Sequence, residues 1–241
     1  MCRLSIKSVI VSSMSDELNN AKISYASNDW NLDTIAVQAG RPLRTAGAPM
    51  NPPITLSTTY VHGSDESPLE ISYGRDGNST WSALEVALGA MDKGIATTFS
   101  SGLAAATAIA DLVPTGGTVV LPSAAYYGVK NLFLRLEAHK RLIVKTVDAN
   151  DTSAVIAACS DADMVWMESI ANPLMVVADL PAIASAAKKA GALFVVDATF
   201  ATPLRQQPLK MGADIVLHSA TKLIGGHSDL LLGVATTKSP E

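Results

Sequence analysis

The chain has 241 residues, of which 48% are hydrophobic and 17% are charged, and its formal net charge is -4. This length and apolar content are sufficient for one sizeable buried core. The acidic balance, and the lack of a basic run with interleaved aromatic residues, argue against nucleic-acid binding. No apolar stretch approaches the length of a membrane span, and Cys2 and Cys159 indicate no disulfide framework, which is consistent with a cytoplasmic protein.

The first part of the chain carries few periodic signals. Residues 1 to about 31 are polar and irregular, which predicts a flexible arm. Frequent prolines between residues 32 and 78 predict an extended segment that wraps over a partner or over the core; they are Pro42, Pro49, Pro52, Pro53 and Pro68. We therefore predict an N-terminal arm with an extended contact segment at residues 1–60, and a large domain at residues 61–241.

From Thr80 onward, helical and strand patterns alternate along the chain. Helices are predicted from Thr80 to Gly94, at 102–112, 128–139 and 151–159, and between Asp179 and Gly191. Short apolar strands are predicted at 118–121, 142–144, 164–167 and 193–197, and from 214 or 215 to about 218. This alternation is typical of an α/β fold with a mostly parallel sheet and helices on both faces.

The most informative residue is Lys222, which lies in a polar turn just after a buried-looking strand. With Ser219 and Thr221 beside it, this lysine has the layout of a Schiff-base lysine next to a phosphate-binding turn. Pyridoxal 5'-phosphate would supply an aldehyde for the amine and a phosphate for the two hydroxyls. A solvated lysine in a loop is the alternative interpretation.

A carboxylate is expected near this lysine. The apolar run Leu193–Val196 ends in Asp197, and ligands of parallel sheets lie at the carboxyl ends of the strands. Asp197 would therefore share a crevice with Lys222. A buried carboxylate needs a charged partner, and a protonated pyridinium nitrogen would be one. A helix cap or a turn residue is the alternative interpretation of Asp197.

A third segment predicts a site for the phosphate. Ser100 or Ser101 can cap the alanine-rich helix that follows it, and the free amides of Gly102 and Leu103 lie at the positive end of that helix. Such a helix end suits a phosphate group. An ordinary serine cap without a ligand is the alternative.

Six short motifs follow one another in a distinctive order: Tyr73-Gly74-Arg75, Ser101-Gly102-Leu103, Tyr127-Gly128, Glu168-Ser169-Ile170-Ala171-Asn172-Pro173, Asp197-Ala198-Thr199-Phe200, and Ser219-Ala220-Thr221-Lys222 with Gly225-Gly226-His227-Ser228-Asp229 after it. This order resembles the Cys/Met-metabolism family of pyridoxal-phosphate enzymes, which includes cystathionine γ-synthase, cystathionine γ- and β-lyases and methionine γ-lyase. The resemblance covers roughly Leu32 to the last residue. It implies the large domain of a pyridoxal-phosphate transferase of fold type I, similar to aspartate aminotransferase.

The resemblance implies a role for each matching residue around the cofactor ring. Lys222 would form the Schiff base and then shuttle protons, and Asp197 would pair with the ring nitrogen. Tyr127 would stack on the ring as a candidate proton donor or acceptor, and Asn172 would lie near the ring hydroxyl. Thr199 shares a motif with Asp197 and is expected among the cofactor-binding residues.

Around the phosphate, the resemblance implies contacts from the amides of Gly102 and Leu103 and from the hydroxyls of Ser219 and Thr221. It also implies that Tyr73 and Arg75 reach the phosphate of a neighbouring subunit; they otherwise look like exposed loop residues. The expected assembly is therefore a homodimer or homotetramer whose active sites are shared between subunits and take a small amino-acid substrate.

The sequence departs from the family pattern at several positions. Ala198 replaces an asparagine, Ser79 replaces a proline, and Val129-Lys130 replaces a more usual Gly-Thr pair. Lys130 adds a charge near Tyr127, so substrate preference is the property most exposed to change. Family members also continue into a smaller C-terminal domain whose arginine binds the substrate α-carboxylate. Because the chain stops at Glu241, we expect that domain and its arginine to be absent.

The expected function is therefore trans-sulfuration, by elimination or replacement on sulfur amino acids or O-acyl-homoserine. A non-catalytic fragment that binds only the cofactor or a partner subunit is the alternative. The sequence leaves open the choice among synthase, γ-lyase, β-lyase and methionine γ-lyase. No metal is expected, because His218, His227, Asp214 and Asp229 match no usual ligand spacing, and no Gly-x-Gly-x-x-Gly turn indicates a nicotinamide site.

Overall fold

The computed structural model describes residues 30–62, 69 and 71–238. Within these ranges the chain divides into two compact units, one that includes the described residues up to Ala90 and one that covers Met91–Lys238. Most of the predicted flexible arm lies outside the described residues, as do Cys2 and Pro68. Among the helices of the described ranges, none combines the length and the apolar character needed to cross a membrane.

The first unit contains one helix that the sequence did not predict. Helix α1 covers Leu32–Gln38 and is capped by Asn31, whose Oδ1 accepts a hydrogen bond from the Thr34 amide at 2.8 Å. The prediction of an extended chain from residue 32 was therefore wrong here, because an asparagine cap and the fully buried Ile35 stabilise a short helix. Helix α2 covers Ser79–Asp92, as its helical spacing predicted.

The second unit is built on a seven-stranded sheet. Its strands are β1 (Ile95–Phe99), β2 (Thr118–Pro122), β3 (Ile143–Val147), β4 (Met164–Glu168), β5 (Leu193–Asp197), β6 (Ile215–Ser219) and β7 (Gly233–Thr237), in the spatial order β1-β7-β6-β5-β4-β2-β3. Strands β2 to β6 pair in parallel, while β7 runs antiparallel to both β1 and β6. The predicted mostly parallel sheet is confirmed.

Helices lie between the strands, and all but the short α7, which the sequence did not predict, are close to their predicted positions. They are α3 (Gly102–Ala110), α4 (Tyr127–Ala138), α5 (Thr152–Ala158) followed by a 3-10 turn (Cys159–Asp161), α6 (Leu180–Ala190) and α7 (Thr202–Arg205). The predicted ends of α6 are confirmed: Asp179 accepts a hydrogen bond from the Ala182 amide at 3.1 Å, and Gly191 ends the helix at a φ of 74°.

Alternate residues of the central strands face two separate hydrophobic cores. Met164 and Trp166 of β4 pack with α3 and α4, whereas Val165 and Met167 of the same strand pack with α5 and α6. The Trp166 ring lies edge-on to Phe133 of α4, with ring centroids 5.4 Å apart. Helices therefore cover both faces of the sheet, as predicted, and the polar ends of its parallel strands meet at one edge.

Candidate active site

Three polar residues end adjacent parallel strands of the second unit. Glu168 is the last residue of β4, Asp197 the last of β5 and Ser219 the last of β6. In the sheet register, Glu168 lies opposite Asp197, and Asp197 lies opposite Leu217. These side chains therefore meet at the carboxyl edge of the sheet, where parallel α/β folds bind their ligands.

Asp197 is held by its neighbour Thr199. Its side chain is only 7% exposed, and Oδ1 accepts hydrogen bonds from the Thr199 amide at 3.0 Å and from the Thr199 hydroxyl at 2.6 Å. Burial raises the pKa of Asp197, and the Thr199 hydrogen bonds and His218 oppose that rise. The carboxylate is therefore held in place by neutral donors, and a cation that docked against it would favour its ionised form.

The Thr199 hydroxyl links Asp197 to the end of β6. While donating to Asp197, this hydroxyl oxygen accepts a hydrogen bond from the Ser219 amide at 2.8 Å. Ser219 in turn lies against the start of α3, because a Cβ placed on Gly102 would be 2.7 Å from the Ser219 Cβ. A continuous chain of contacts therefore joins Asp197, Thr199, Ser219 and Gly102.

The start of α3 has the donors that a phosphate needs. Ser101 caps this helix by accepting a hydrogen bond from the Ala104 amide at 3.1 Å, so Ser101 is the capping serine. Gly102 and Leu103 are the first two residues of the nine-residue helix, and Gly102 lies against the Ser219 side chain. Helix amides beside a hydroxyl form a donor set that suits a phosphate group, so these residues fit the cofactor that the sequence predicted.

Lys222 lies in a tight turn that follows β6. The Lys222 amide donates to the Ser219 carbonyl at 3.0 Å, and the Lys222 carbonyl accepts from the Gly226 amide at 2.8 Å. The Lys222 side chain is exposed.

The Thr221 hydroxyl makes two hydrogen bonds with the backbone of Leu232. It donates to the Leu232 carbonyl at 3.2 Å and accepts from the Leu232 amide at 3.0 Å. That donation competes with the predicted contact between Thr221 and a phosphate.

Glu168 connects the loops that carry Tyr127 and Asn172. Its Oε2 accepts from the Tyr126 amide at 2.6 Å, and its Oε1 accepts from the Asn172 amide at 3.0 Å. Burial and the nearby charge of Asp197 raise the pKa of Glu168 to about 7, although the two amides oppose that rise. Glu168 was not among the predicted site residues, although its position at a strand end, in the same motif as Asn172, was a usable signal.

The sequence profile of the family described as Cys/Met metabolism PLP-dependent enzymes matches residues 33–241. The chain belongs to this family. Cystathionine beta-lyase of Lactococcus lactis subsp. cremoris is 40% identical over 200 residues, which cover 82% of this chain and 52% of that protein. Cystathionine gamma-lyase of Dictyostelium discoideum is 37% identical over 217 residues, which cover 89% of this chain and 56% of that protein.

Solved structures of the family share the fold. The cystathionine gamma synthase of Xanthomonas oryzae pv. oryzae, in complex with aminoacrylate and cysteine, superposes with a TM-score of 0.82 at 35% identity. The superposition covers 87% of this chain and 55% of that one. The chain thus spans about half the length of the relatives it matches. The large-domain fold expected from the family resemblance is confirmed, and the cofactor of the family is pyridoxal phosphate.

The family residue Tyr127 begins α4 and is 70% exposed. Its ring makes an edge contact with Tyr126, with centroids 4.9 Å apart. Lys130, which departs from the family pattern, donates through Nζ to the Ser123 carbonyl at 3.0 Å. The Lys130 ammonium group therefore uses one of its N–H donors to bind the backbone that precedes α4.

Tyr73 and Arg75, the family pair expected to reach a neighbouring subunit, lie in the first unit. The Arg75 guanidinium carbon is 5.0 Å from the centre of the Tyr73 ring, within the range of a cation–π contact. Tyr73 also bridges Thr59 of a preceding segment. The two side chains are therefore brought together within one turn.

His218, which was considered as a metal ligand, is paired with a buried carboxylate. Its Nε2 lies 3.1 Å from both carboxylate oxygens of Asp92, which also accepts a 2.7 Å hydrogen bond from the Thr236 hydroxyl. All three side chains are buried. In the part of the chain that the structure describes, no group of three or more His, Cys, Asp or Glu side chains is arranged to hold a metal ion.

Proposed function

We propose that this chain carries the cofactor site of a trans-sulfuration enzyme that acts on sulfur amino acids or O-acyl-homoserine. The observation that carries the proposal is the continuous set of contacts from Asp197 through Thr199 and Ser219 to Gly102. One end of this set offers a buried carboxylate, and the other offers helix amides and a hydroxyl. The similarity to cystathionine lyases and synthases supports this substrate class.

Each residue would contribute one physical function. When bound, pyridoxal phosphate supplies an electron sink that stabilises negative charge at the substrate α-carbon. Asp197 would keep a ring nitrogen protonated, because a buried carboxylate favours a cationic neighbour. Ser219, with the amides of Gly102 and Leu103, would hold the phosphate and so fix the position of the ring. These contacts would bind and orient the cofactor, and they would not transfer protons to or from the substrate.

Lys222 would hold the cofactor covalently between turnovers and would then move a proton at the substrate α-carbon. Its backbone is tied to Ser219, which keeps the residue beside the proposed phosphate contact, and its side chain is exposed. Tyr127 would cover the ring and exclude water from it, and Asn172 would orient the ring hydroxyl. Elimination would be completed by water, whereas replacement would be completed by a thiol.

We also propose a cytoplasmic homo-oligomer. In this assembly Tyr73 and Arg75 would contribute to the phosphate contacts of a second copy, as the family pattern implies. The paired arrangement of these two side chains, with a cation held over a phenol ring, supports a preformed anion contact. The buried free thiol of Cys159 is consistent with a reducing compartment.

The test begins with cofactor binding. Pyridoxal phosphate mixed with the purified chain should change its visible absorbance, and borohydride reduction should leave the cofactor's mass on the peptide that contains Lys222. Lys222→Ala should abolish both signals, whereas Lys210→Ala, the matched control at another exposed lysine, should preserve them. The proposal fails if the wild-type chain binds no cofactor.

Turnover is tested with cystathionine, methionine and O-acyl-homoserine as separate substrates. Pyruvate, 2-oxobutyrate or cystathionine as the product would assign the reaction. Cofactor attachment at Lys222 without turnover of any of these substrates would support a binding fragment instead of an enzyme.

A further inference from the structure

Glu168 is a buried carboxylate that contacts two separate loops. Its side chain is 5% exposed, and each of its oxygens accepts a backbone hydrogen bond, Oε2 from Tyr126 at 2.6 Å and Oε1 from Asn172 at 3.0 Å. The first loop precedes α4 and the second follows β4. One side chain therefore bridges two segments whose contact residues, Tyr126 and Asn172, are 46 residues apart in the chain.

The N-terminus of α4 has no capping side chain and no acidic residue of its own. Tyr126 is the residue that caps α4, and its own side chain makes no capping hydrogen bond. The first turn of α4 contains no acidic residue. Glu168 therefore supplies, from a neighbouring strand, a negative charge beside the positive end of this helix.

We propose that Glu168 is a positioning residue, whose carboxylate holds Tyr127 and Asn172 at a fixed spacing on the cofactor edge of the sheet. Tyr127 directly follows the Tyr126 amide, and the Asn172 amide is itself the second donor. The inference rests on the proposed function for the cofactor itself, but the spacing of the two loops is a property of the chain alone. Glu168 acts through these two residues and is not assigned a contact with substrate.

The charge of Glu168 gives this contact a pH dependence. Burial, and then the charge of Asp197 on β5, raise the pKa of Glu168 to about 7. From the α4 side, the phenol of Tyr126, the capping residue, also interacts electrostatically with Glu168, while the loop after β4 contributes the neutral backbone amide of Asn172. Above pH 7 both oxygens can accept amides; below it, one oxygen is protonated and accepts more weakly.

Hydrogen exchange of the cofactor-free chain tests the contact directly. In Glu168→Gln, protection of the Tyr126 or Asn172 amide should fall by about tenfold or more, the loss expected for one charge-assisted hydrogen bond. Asp163→Asn is the matched control: Asp163 directly precedes β4, and its Oδ2 accepts the Thr118 amide at 2.8 Å near the opposite ends of the strands. Any loss of protection in that variant should be confined to Thr118, because asparagine keeps one oxygen acceptor and Asp163 contacts neither loop.

The same chain tests the consequence for the cofactor. Glu168→Gln should raise the Kd for pyridoxal phosphate by about tenfold, while borohydride reduction at saturating cofactor still labels Lys222. For local openings that leave Glu168 buried, wild-type protection at Tyr126 and Asn172, corrected for intrinsic exchange, should increase between about pH 6 and about pH 8, because the ionised carboxylate is the stronger acceptor. That increase should be absent in Glu168→Gln.

Two results would overturn the proposal. One is unchanged protection of both amides in a folded Glu168→Gln variant; the other is a wild-type protection profile that stays flat across the same pH range. The second result needs no variant, so a failure of Glu168→Gln to fold does not prevent a decision. If pH-dependent protection is present but the wild type binds no cofactor, the proposed function is wrong while the loop contact stands.

Discussion

A substitution at Gly102 tests the geometry of the phosphate end of the site. An ideal Cβ at this position would be 2.7 Å from the Ser219 Cβ and 2.8 Å from its Oγ. Because carbon atoms in contact lie about 3.5–4.0 Å apart, Gly102→Ala must open this contact by roughly 0.8 Å. Ser219 cannot move freely, since its amide is bonded to the Thr199 hydroxyl.

The expected cost of Gly102→Ala has two parts. Overpacking of this kind costs about 1–3 kcal/mol in the free energy of unfolding. For a chain of this length, a loss of about 2 kcal/mol lowers the Tm by roughly 4–8 °C. A displaced Ser219 hydroxyl and a displaced Gly102 amide should also weaken phosphate binding, raising the Kd for pyridoxal phosphate by about tenfold, which is equivalent to one good hydrogen bond.

Thermal unfolding of the cofactor-free chain and an absorbance titration with pyridoxal phosphate measure the two parts separately. Leu103→Ala is the matched control, because it trims a side chain that is 47% exposed and keeps the backbone amide. The double variant Gly102→Ala/Ser219→Gly removes the clashing atoms of Ser219 and should recover stability without recovering affinity. A Gly102→Ala variant that unfolds and binds like the wild type would refute the close approach of Gly102 to Ser219.

Two further predictions concern buried charge. Asp92→Ala should lower the free energy of unfolding in urea by about 3–5 kcal/mol, because it leaves His218 and Thr236 buried without their shared acceptor; Asp92→Asn, which keeps an oxygen acceptor, should cost less. The raised pKa of Glu168, about 7, means that the folded chain retains a proton that the unfolded chain loses at lower pH. Its contribution to stability should therefore be complete below about pH 4.5 and decline as the pH rises to about 7, and this slope should be smaller in Glu168→Gln.

A cost of less than about 1 kcal/mol for Asp92→Ala would show that water or a rearranged side chain replaces the carboxylate. For the pH prediction, equal slopes in the wild type and Glu168→Gln between about pH 4.5 and about pH 7 would assign the pH dependence to other groups.

Local signals predicted a large part of the fold. The Asp179 cap and Gly191 located the ends of α6, and the apolar run that ends in Asp197 located β5. Such signals depend on hydrogen bonds and dihedral angles within a few residues, so they can be recognised without the rest of the chain. The order of short motifs then identified the family from the sequence, and the profile match agrees with it.

Pairing between distant segments was harder to predict. Strands β1 and β7 contain threonine, alanine and glycine instead of a continuous apolar run. Strand β1 pairs with β7, and β7 pairs with both β1 and β6, so both depend on their neighbours in the sheet. Their pairing joins residues such as Phe99 and Gly233, which are far apart in the chain. Strand preference depends strongly on such neighbours, so the sequence signal is weak.

For the site, the sequence by itself determined the residue types that a pyridoxal-phosphate site requires: an amine, a carboxylate, hydroxyls and a glycine at the start of a helix. Only the tertiary structure decided how they are joined, with Thr199 linking Asp197 to Ser219 and with Glu168 between two loops. The reason is physical. Residue chemistry is carried by each side chain, whereas burial and hydrogen-bond partners exist only after distant strands have come together at one edge of the sheet.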